Sequence, residues 1–266
     1  MRLFTHNHSQ YAEYRWPGEA PVIHALHGFL GSGSDYSLLA ENLRSELIAW
    51  DLIGFGHSEA PVQPQMYSTD SQVDFLQDIL PNKAILFGYS MGARLALQFA
   101  CQYPYRLTGL ILVSGTAGID DIEAQKERQV WDFQMAERVQ RMGMNRFVEE
   151  WNRLPIIHSQ KRIERSHREQ MLAARHHHSP LGVANSMRYF GTGTMPSCWH
   201  QLSRIRVPVL IMVGSEDGKY VDIARRMADQ LPSSSLAIVP SAGHCVHLEK
   251  PRDSAQAIHH WLKSAF

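Results

Sequence analysis

Short apolar runs alternate along this chain with segments whose apolar residues recur at the spacing of an α-helix. The run at residues 107–113 is apolar almost throughout, as expected for a parallel strand covered on both faces. Predicted helices follow the strands, for example at residues 35–46, 69–80 and 251–264. This alternation predicts an α/β fold with a mostly parallel sheet covered by helices on both faces. The predicted strands of the core lie at residues 21–26, 46–51, 84–87, 107–113, 207–213 and 235–239.

The pattern changes between residues 117 and 202. This segment is rich in charged residues, Met, Trp and His, and it contains no apolar run typical of a strand. We interpret it as a helical cap inserted after the strand that ends near Val113. The predicted organisation is a core of residues 1–116 and 203–266 with a cap of residues 117–202.

Composition narrows the class of protein. The 266 residues include 26 basic and 26 acidic side chains, so neither nucleic acid nor a membrane surface is an expected partner. The first residues lack the apolar centre of a signal peptide, and no apolar run has the length of a membrane span. The three cysteines are odd in number and share no metal-ligand spacing, which favours a reduced, cytoplasmic setting.

The sequence Gly88-Tyr89-Ser90-Met91-Gly92 lies between a predicted strand and a predicted helix. This is the context of a nucleophile elbow, a sharp turn that holds a serine in a strained conformation beyond the end of the sheet. The two glycines keep side chains out of a crowded crossing. Ser90 is therefore the predicted catalytic serine, and the alternative is a glycine-flanked helix start without chemistry.

A serine of this kind needs an imidazole and a carboxylate. Among the 15 histidines, only His244 follows the last predicted strand in a glycine-containing turn. Asp217 follows the preceding strand, so Ser90, Asp217 and His244 occur in the chain order Ser, Asp, His. Each comes just after a strand, and the carboxyl ends of parallel strands face one crevice. The rival carboxylates are Glu216, Asp120 and Asp121.

A glycine-containing loop at residues 27–32 follows the first core strand, where this architecture builds half of an oxyanion hole. The predicted donors are the backbone N–H groups of Phe29 and Met91. We expect His27 to brace the loop through hydrogen bonds rather than to transfer protons.

Arginines are the main indication of the substrate. Arg94 lies one helical turn after Ser90, where an arginine is costly in an apolar core unless it meets a negative charge. The cap contributes Trp151, Arg128 and Arg175, and each of these two arginines is typical of a solvated surface charge when taken alone. Together the three guanidinium groups suit a small molecule with more than one carboxylate.

The consecutive histidines at 176–178 do not indicate a metal. Successive residues of a helix diverge by about 100°, so the three rings cannot face one ion. No acidic or Cys/His partner pattern accompanies them. We interpret them as part of a solvated cap surface, and no metal site is predicted.

Over its whole length the chain resembles the α/β-hydrolase fold superfamily. The motifs that carry this resemblance are His27-Gly28-Phe29, Asp51–Ser58, the elbow, Gly214–Asp217 and Gly243-His244. A narrower resemblance rests on Gly88–Arg94, Val113–Gly118, Glu127-Arg128, the Trp151 region and Arg175. In these segments the chain resembles the 2-succinyl-6-hydroxy-2,4-cyclohexadiene-1-carboxylate synthases of menaquinone biosynthesis.

The narrower resemblance implies a lyase without a cofactor. In that family, a serine made basic by histidine and aspartate removes a proton next to the succinyl ketone of 2-succinyl-5-enolpyruvyl-6-hydroxy-3-cyclohexene-1-carboxylate. Pyruvate then leaves from the enolate, which the oxyanion hole holds. Carried over, Ser90 is the base, His244 accepts its proton and Asp217 orients His244. The substrate-binding residues implied by the resemblance are Tyr89, Arg94, Arg128, Trp151 and Arg175.

Two other functions stay open at this point. A serine carboxylesterase or carbon–carbon bond hydrolase acting on an acidic substrate would use the same triad, with Ser90 attacking a carbonyl carbon. The sequence separates hydrolase from lyase only through the arginines, which disfavour an ester hydrolase for neutral substrates because such an enzyme has no need of Arg94. A non-catalytic binding protein is disfavoured by the complete set of Ser90, Asp217 and His244.

Overall fold

The architecture is that of a computed structural model, which describes all of residues 1–266. Eight strands form a single sheet. In chain order they are β1 (Arg2–His6), β2 (Ser9–Trp16), β3 (Glu19–Leu26), β4 (Ser45–Trp50), β5 (Ala84–Tyr89), β6 (Leu107–Val113), β7 (Val209–Gly214) and β8 (Ser234–Val239). Their order across the sheet is β1-β2-β4-β3-β5-β6-β7-β8.

The sheet is mostly parallel. β1 pairs antiparallel with β2, and β2 pairs antiparallel with β4, while every other neighbouring pair is parallel. β5 lies at the centre, where Ile85 is level with Ile23 of β3 and Gly109 of β6. The predicted mostly parallel sheet is therefore confirmed. It also places the ends of β3, β5, β6 and β7 along one edge.

Nine α-helices accompany the strands. They are α1 (Ser37–Ala40), α2 (Thr69–Ile79), α3 (Met91–Gln102), α4 (Ile122–Trp151), α5 (Arg165–His176), α6 (Pro180–Phe190), α7 (Gly218–Gln230), α8 (Val246–Glu249) and α9 (Pro251–Ala265). None of them is both long enough and apolar enough to cross a membrane.

The helix predicted at 35–46 is much shorter than expected. A 3₁₀ turn at Gly33–Tyr36 leads into α1, which ends at Ala40. The Asn42 amide donates to the Leu38 carbonyl, 2.8 Å away, at the point where the helix stops. Side chains such as Asn compete for backbone groups in this way, and the apolar spacing of the segment did not reveal it.

Helices cover both faces of the sheet, as predicted. Side chains along β5 alternate between two apolar cores, as the period of a strand requires. Leu86 belongs to the larger core, beneath α3, while Ile85 and Phe87 belong to the smaller core, which includes Trp261 of α9. Side chains on both faces are therefore buried at the centre of the sheet, which explains why the sequences of these strands are continuous apolar runs.

The segment between β6 and β7 contains α4, α5, α6 and a 3₁₀ helix at Pro155–Arg162. Gly143, with φ of +74°, interrupts α4. The two ends of the inserted segment are joined to each other. Cys198 N–H donates to Ala117 O over 2.7 Å, and Trp199 Nε1–H donates to Gly118 O over 2.9 Å. The insertion therefore enters and leaves the sheet at one place.

The interpretation of residues 176–178 as solvated is wrong for His178. Its side chain is buried, its Nδ1 accepts from Gly56 N–H over 3.0 Å, and its Nε2–H donates to Leu30 O over 3.1 Å. The reason is that α5 ends at His176, so the chain turns back toward the core before His178. His178 therefore connects the inserted helices to the glycine-containing loop after β3.

Burial keeps this histidine neutral. It lowers the pKa of His178 to about 4 and that of His27, in the loop below, to about 3. Below the ordinary histidine pKa of about 6.5, the unfolded chain binds protons that the folded chain excludes. The contribution of these two histidines to the free energy of unfolding is therefore largest above that pH and decreases as the pH falls toward 4.

We predict that His178→Gln lowers the free energy of unfolding at pH 7.5, and that its deficit relative to the unaltered protein shrinks at pH 5. The reason is that the variant no longer excludes this proton, a contribution of about 1.4 kcal/mol for each unit of pKa shift. Urea unfolding at pH 7.5 and at pH 5 measures this deficit in the free energy of unfolding. His177→Gln, at an exposed neighbour, is the control. A deficit that is the same at both pH values would contradict this account.

Candidate active site

The turn between β5 and α3 holds Ser90 in a strained conformation. Its φ is +49° and its ψ is −104°, a region that residues other than glycine rarely adopt. A Cβ at Gly92 would lie 2.1 Å from Leu26 O, and one at Gly88 would lie 2.3 Å from Gly92 O. Ser90 N–H donates to Val113 O over 2.9 Å, which ties the turn to the neighbouring strand. The crossing is thus so close that both positions need glycine.

Ser90, His244 and Asp217 form a hydrogen-bonded chain. His244 Nε2 lies 3.0 Å from Ser90 Oγ, and His244 Nδ1 lies 2.6 Å from Asp217 Oδ2. Since a carboxylate only accepts, Nδ1 carries the proton and Nε2 is free to accept from the serine hydroxyl. Asp217 therefore holds His244 in the tautomer that a general base requires.

The rival carboxylates lie elsewhere. Glu216 forms an ion pair with Arg162, Asp120 forms one with Arg226, and Asp121 caps α4 by accepting from Ala124 N–H. Only Asp217 of the four candidates contacts His244. The hydrogen bond therefore identifies Asp217, among the four carboxylates left open by the sequence, as the one that orients His244.

Two backbone N–H groups beside Ser90 are available to an oxyanion. Met91 begins α3 and Phe29 lies in the loop after β3, and neither N–H has an acceptor within the protein. His27 braces the loop, because its Nδ1–H donates to Gly28 O over 2.7 Å and its Nε2 accepts from Leu52 N–H over 2.9 Å. Burial keeps His27 neutral, so the bracing role expected of it agrees with its surroundings.

A cavity of about 410 Å³ lies over Ser90, between the sheet edge and the inserted helices. The Trp151 ring lies 4.8 Å from the Phe29 ring at one side, and the Tyr89 ring lies 5.6 Å from the His244 ring. The cavity brings together all ten residues predicted for the site: Phe29, Tyr89, Ser90, Met91, Arg94, Arg128, Trp151, Arg175 and His244 line it, and Asp217 contacts His244 from behind.

Arg94 is a buried cation without an acidic partner. Its Nη1–H donates to Phe190 O over 2.9 Å and contacts the Met195 sulfur, and its guanidinium lies 5.1 Å from the Phe190 ring centre. Burial, and the nearby charge of Arg128, lower the pKa of Arg94 to about 10, so it stays charged at neutral pH. A buried charge of this kind is costly until an anion arrives.

Arg128 is held by a carboxylate that sequence reasoning missed. Its Nε–H donates to Asp132 Oδ1 over 2.9 Å, and it packs over the Trp131 ring. Asp132 is 2 % exposed and also accepts from Gly193 N–H. The two terminal nitrogens of Arg128 have no acceptor in the protein. The spacing of four residues on one helix was the signal that could have found this pair.

Taken alone, Arg175 was expected to be a solvated surface charge. The structure contradicts this, because the residue is only 4 % exposed. Its Nη1–H donates to Asn152 Oδ1 over 2.8 Å and its Nη2–H to Gln160 Oε1 over 3.0 Å. Its Nε has no partner. Both acceptors are neutral amides, so they orient the guanidinium without neutralising it.

Tyr220, Lys219 and Asp35 also line the cavity and were not predicted. The Tyr220 ring packs edge-on against the His244 ring at 4.5 Å. Tyr220 lies about one helical turn after Asp217, and that spacing was the available signal. Asp35 accepts from Ser32 N–H over 3.0 Å and thereby supports the loop that carries Phe29. Burial raises the pKa of Asp35 to about 6.

The sequence and the fold match those of known proteins. A family model described as the alpha/beta hydrolase fold matches residues 21–251. A putative 2-succinyl-6-hydroxy-2,4-cyclohexadiene-1-carboxylate synthase from Bacillus subtilis (strain 168) is 38 % identical over 253 residues, which cover 93 % of this chain and 92 % of the relative. The structure of MenH from S. aureus superposes with a TM-score of 0.86 at 31 % identity, over 95 % of this chain and 98 % of that one.

A thermophilic esterase from Thermogutta terrifontis, solved with malate bound, has a TM-score of 0.80 at 29 % identity over 97 % of this chain and 94 % of its own. The fold and the triad geometry thus define an enzyme class that includes lyases and esterases. The chain belongs to the α/β-hydrolase fold family and, within it, to the family of the 2-succinyl-6-hydroxy-2,4-cyclohexadiene-1-carboxylate synthases. Both predicted resemblances are confirmed.

We predict that Ser90→Ala and His244→Ala each lower kcat by about a thousandfold or more, and that the double variant is little worse than either. The reason is that the hydroxyl and the imidazole transfer one proton between them and so act as a unit. Steady-state rates of the purified variants, with near-UV circular dichroism as the check on folding, measure this. Independent losses that multiply in the double variant would contradict a shared step.

Proposed function

We propose that this protein is a carbon–oxygen lyase of menaquinone biosynthesis that eliminates pyruvate from 2-succinyl-5-enolpyruvyl-6-hydroxy-3-cyclohexene-1-carboxylate. The observation that carries the proposal is the set of three arginines around the Ser90 triad. Arg94 and Arg175 are buried without an acidic partner, and Arg128 has two free terminal nitrogens. The substrate has three carboxylates, and a guanidinium group binds a carboxylate through a bidentate fork.

Ser90 acts as a base in this proposal. Its Oγ removes the ring proton next to the succinyl ketone while its own hydroxyl proton passes to His244 Nε2 at 3.0 Å. Asp217 stabilises the imidazolium that forms. The electron pair of the broken C–H bond moves through the ring double bond and expels the enolpyruvyl oxygen. His244 then returns its proton to the leaving pyruvate enolate.

The oxyanion of the ring enolate lies beside Phe29 N–H and Met91 N–H. Both donors have no other acceptor, so they bind the charge that develops on the ketone oxygen without first breaking a protein hydrogen bond. Donors preorganised in this way typically contribute about 3 kcal/mol each to lowering a barrier. Elimination needs no water at the reacting carbon, which suits a cavity bounded by Trp151, Phe29 and Phe190.

An acidic-substrate esterase is the second candidate. The observation in its favour is the similarity to the esterase from Thermogutta terrifontis, which was solved with a dicarboxylate bound. The same triad could attack an ester carbonyl, with the same two N–H groups binding the tetrahedral oxyanion. The two candidates differ in whether Ser90 removes a proton or forms a bond to carbon.

One experiment compares the two reactions in one preparation. Pyruvate release from the enolpyruvyl cyclohexene substrate is measured beside hydrolysis of a p-nitrophenyl ester, and both are repeated with Ser90→Ala. The lyase proposal predicts rapid, Ser90-dependent pyruvate release and little ester cleavage. Rapid ester cleavage without pyruvate release would replace it with the esterase.

We predict that Arg94→Met lowers kcat/KM for the tricarboxylate by about a hundredfold, changes ester cleavage by less than about threefold, and leaves the thermal midpoint unchanged or higher. Methionine fills a similar volume and removes a buried charge that has no acidic partner. Steady-state kinetics on both substrates and thermal unfolding are the measurements.

Arg106→Met is the matched control. Arg106 donates to Gln77 O and Leu80 O, away from the cavity, so its loss should lower the thermal midpoint and leave both activities intact. Equal losses on the two substrates in Arg94→Met would instead make Arg94 a structural arginine.

A further inference from the structure

A buried carboxylate that has no part in the triad lies behind the catalytic histidine. Glu249 ends α8, five residues after His244, and its side chain is fully shielded from solvent. Gly243 N–H donates to Glu249 Oε2 over 2.8 Å, and Cys245 N–H donates to Glu249 Oε1 over 3.1 Å. One carboxylate therefore binds the backbone N–H groups of both residues that flank His244.

The inserted helices reach the same carboxylate. Ser159, in the 3₁₀ helix Pro155–Arg162, donates its hydroxyl proton to Glu249 Oε1 over 2.7 Å. A Cβ at Gly243 would lie 2.1 Å from Ser159 Oγ. Only glycine at position 243 therefore lets the loop that carries His244 approach this 3₁₀ helix so closely. Arg162 continues the contact by donating to Ser241 O and Glu216.

The next residue along the 3₁₀ helix faces the substrate cavity. Gln160 Oε1 accepts from Arg175, one of the two buried arginines without an acidic partner. Consecutive side chains, Ser159 and Gln160, thus contact the loop of the catalytic histidine and an arginine of the cavity. A displacement of this short helix would disturb both contacts together.

We propose that Glu249 is a positioning residue that sets the orientation of His244, and that Ser159 makes this orientation depend on the seating of the inserted helices. A carboxylate suits the role because its two oxygens accept from three donors at once. A glutamine offers one oxygen, and its amide group would face an N–H donor. The proposal rests on the Ser90–His244 pair, whichever reaction that pair performs.

The test uses Glu249→Gln and Ser159→Ala, with Glu216→Gln as the matched control. Glu216 lies in the same region and accepts from Arg162, but its side chain binds neither Gly243 N–H nor Cys245 N–H. Two readouts are measured: steady-state pyruvate release, and the rate at which diisopropyl fluorophosphate phosphorylates Ser90. In the second reaction the Ser90 oxygen displaces fluoride from phosphorus and His244 takes the hydroxyl proton, so it reports His244 even if the lyase assignment is wrong.

We expect Glu249→Gln to lower kcat and the phosphorylation rate by a similar factor of about 10 to 100, with KM changed by less than about threefold. Ser159→Ala should lower both by about three- to tenfold, and Glu216→Gln should change neither. A folded Glu249→Gln variant with a normal phosphorylation rate would overturn the positioning role. A normal phosphorylation rate in Ser159→Ala would overturn the link to the inserted helices. If Glu249→Gln does not fold, the phosphorylation rate of Ser159→Ala, which removes one of the hydrogen bonds to Glu249, decides whether the proposal stands.

Discussion

The close approach of α3 to the end of β3 is the constraint on which the site depends. Gly92 lies so near Leu26 O that no side chain fits, and this contact forces the turn in which Ser90 has a positive φ. The same contact brings Met91 N–H beside the loop that carries Phe29. The strain at Ser90, of order 1–3 kcal/mol, is held by the surrounding parallel sheet. The serine hydroxyl and both oxyanion donors are thus positioned before any ligand binds.

Charge adds a second constraint. Arg94 and Arg175 donate to carbonyl and amide oxygens rather than to carboxylates, so the positive charge of the cavity is only partly offset, by Asp132 beside Arg128 and by Asp35 near Arg175. Of the three arginines, only Arg128 forms an ion pair, with Asp132, and that pair leaves its terminal nitrogens free. Such a cavity favours a polyanion over a neutral molecule, because the bound anion removes an electrostatic cost already present in the folded protein. The buried arginines thus account both for the preference for an anionic ligand and for the electrostatic cost carried by the empty protein.

The parts of the site that the sequence predicted share a physical reason. Ser90, Asp217 and His244 each follow a strand of a parallel sheet, and such strand ends meet at one edge wherever the intervening helices lie. Local patterns therefore sufficed for the fold and for the expectation that Ser90 and His244 lie close together. The choice among Asp217, Glu216, Asp120 and Asp121 needed coordinates, because chain position alone does not say which carboxylate contacts His244.

What the sequence did not predict depends on how the inserted helices pack. Arg175 and His178 looked solvated because helical spacing says nothing about a surface that a second layer covers. Glu249 was missed because it accepts from the backbone N–H groups of Gly243 and Cys245, and sequence patterns carry no record of such bonds. Asp132 did leave a signal, its spacing of four residues from Arg128 on one helix. The short α1 reflects a local competition by Asn42 that apolar spacing does not register.

The central claim is that Ser90 removes a proton rather than attacking carbon. The most direct measurement is turnover of substrate carrying deuterium on the ring carbon next to the succinyl ketone, with mass spectrometry of the ring product and of unreacted substrate. The account predicts slower turnover than with the unlabelled substrate, one pyruvate for each ring product, and loss of the deuterium from product but not from unreacted substrate. A ring product that keeps its deuterium would contradict it.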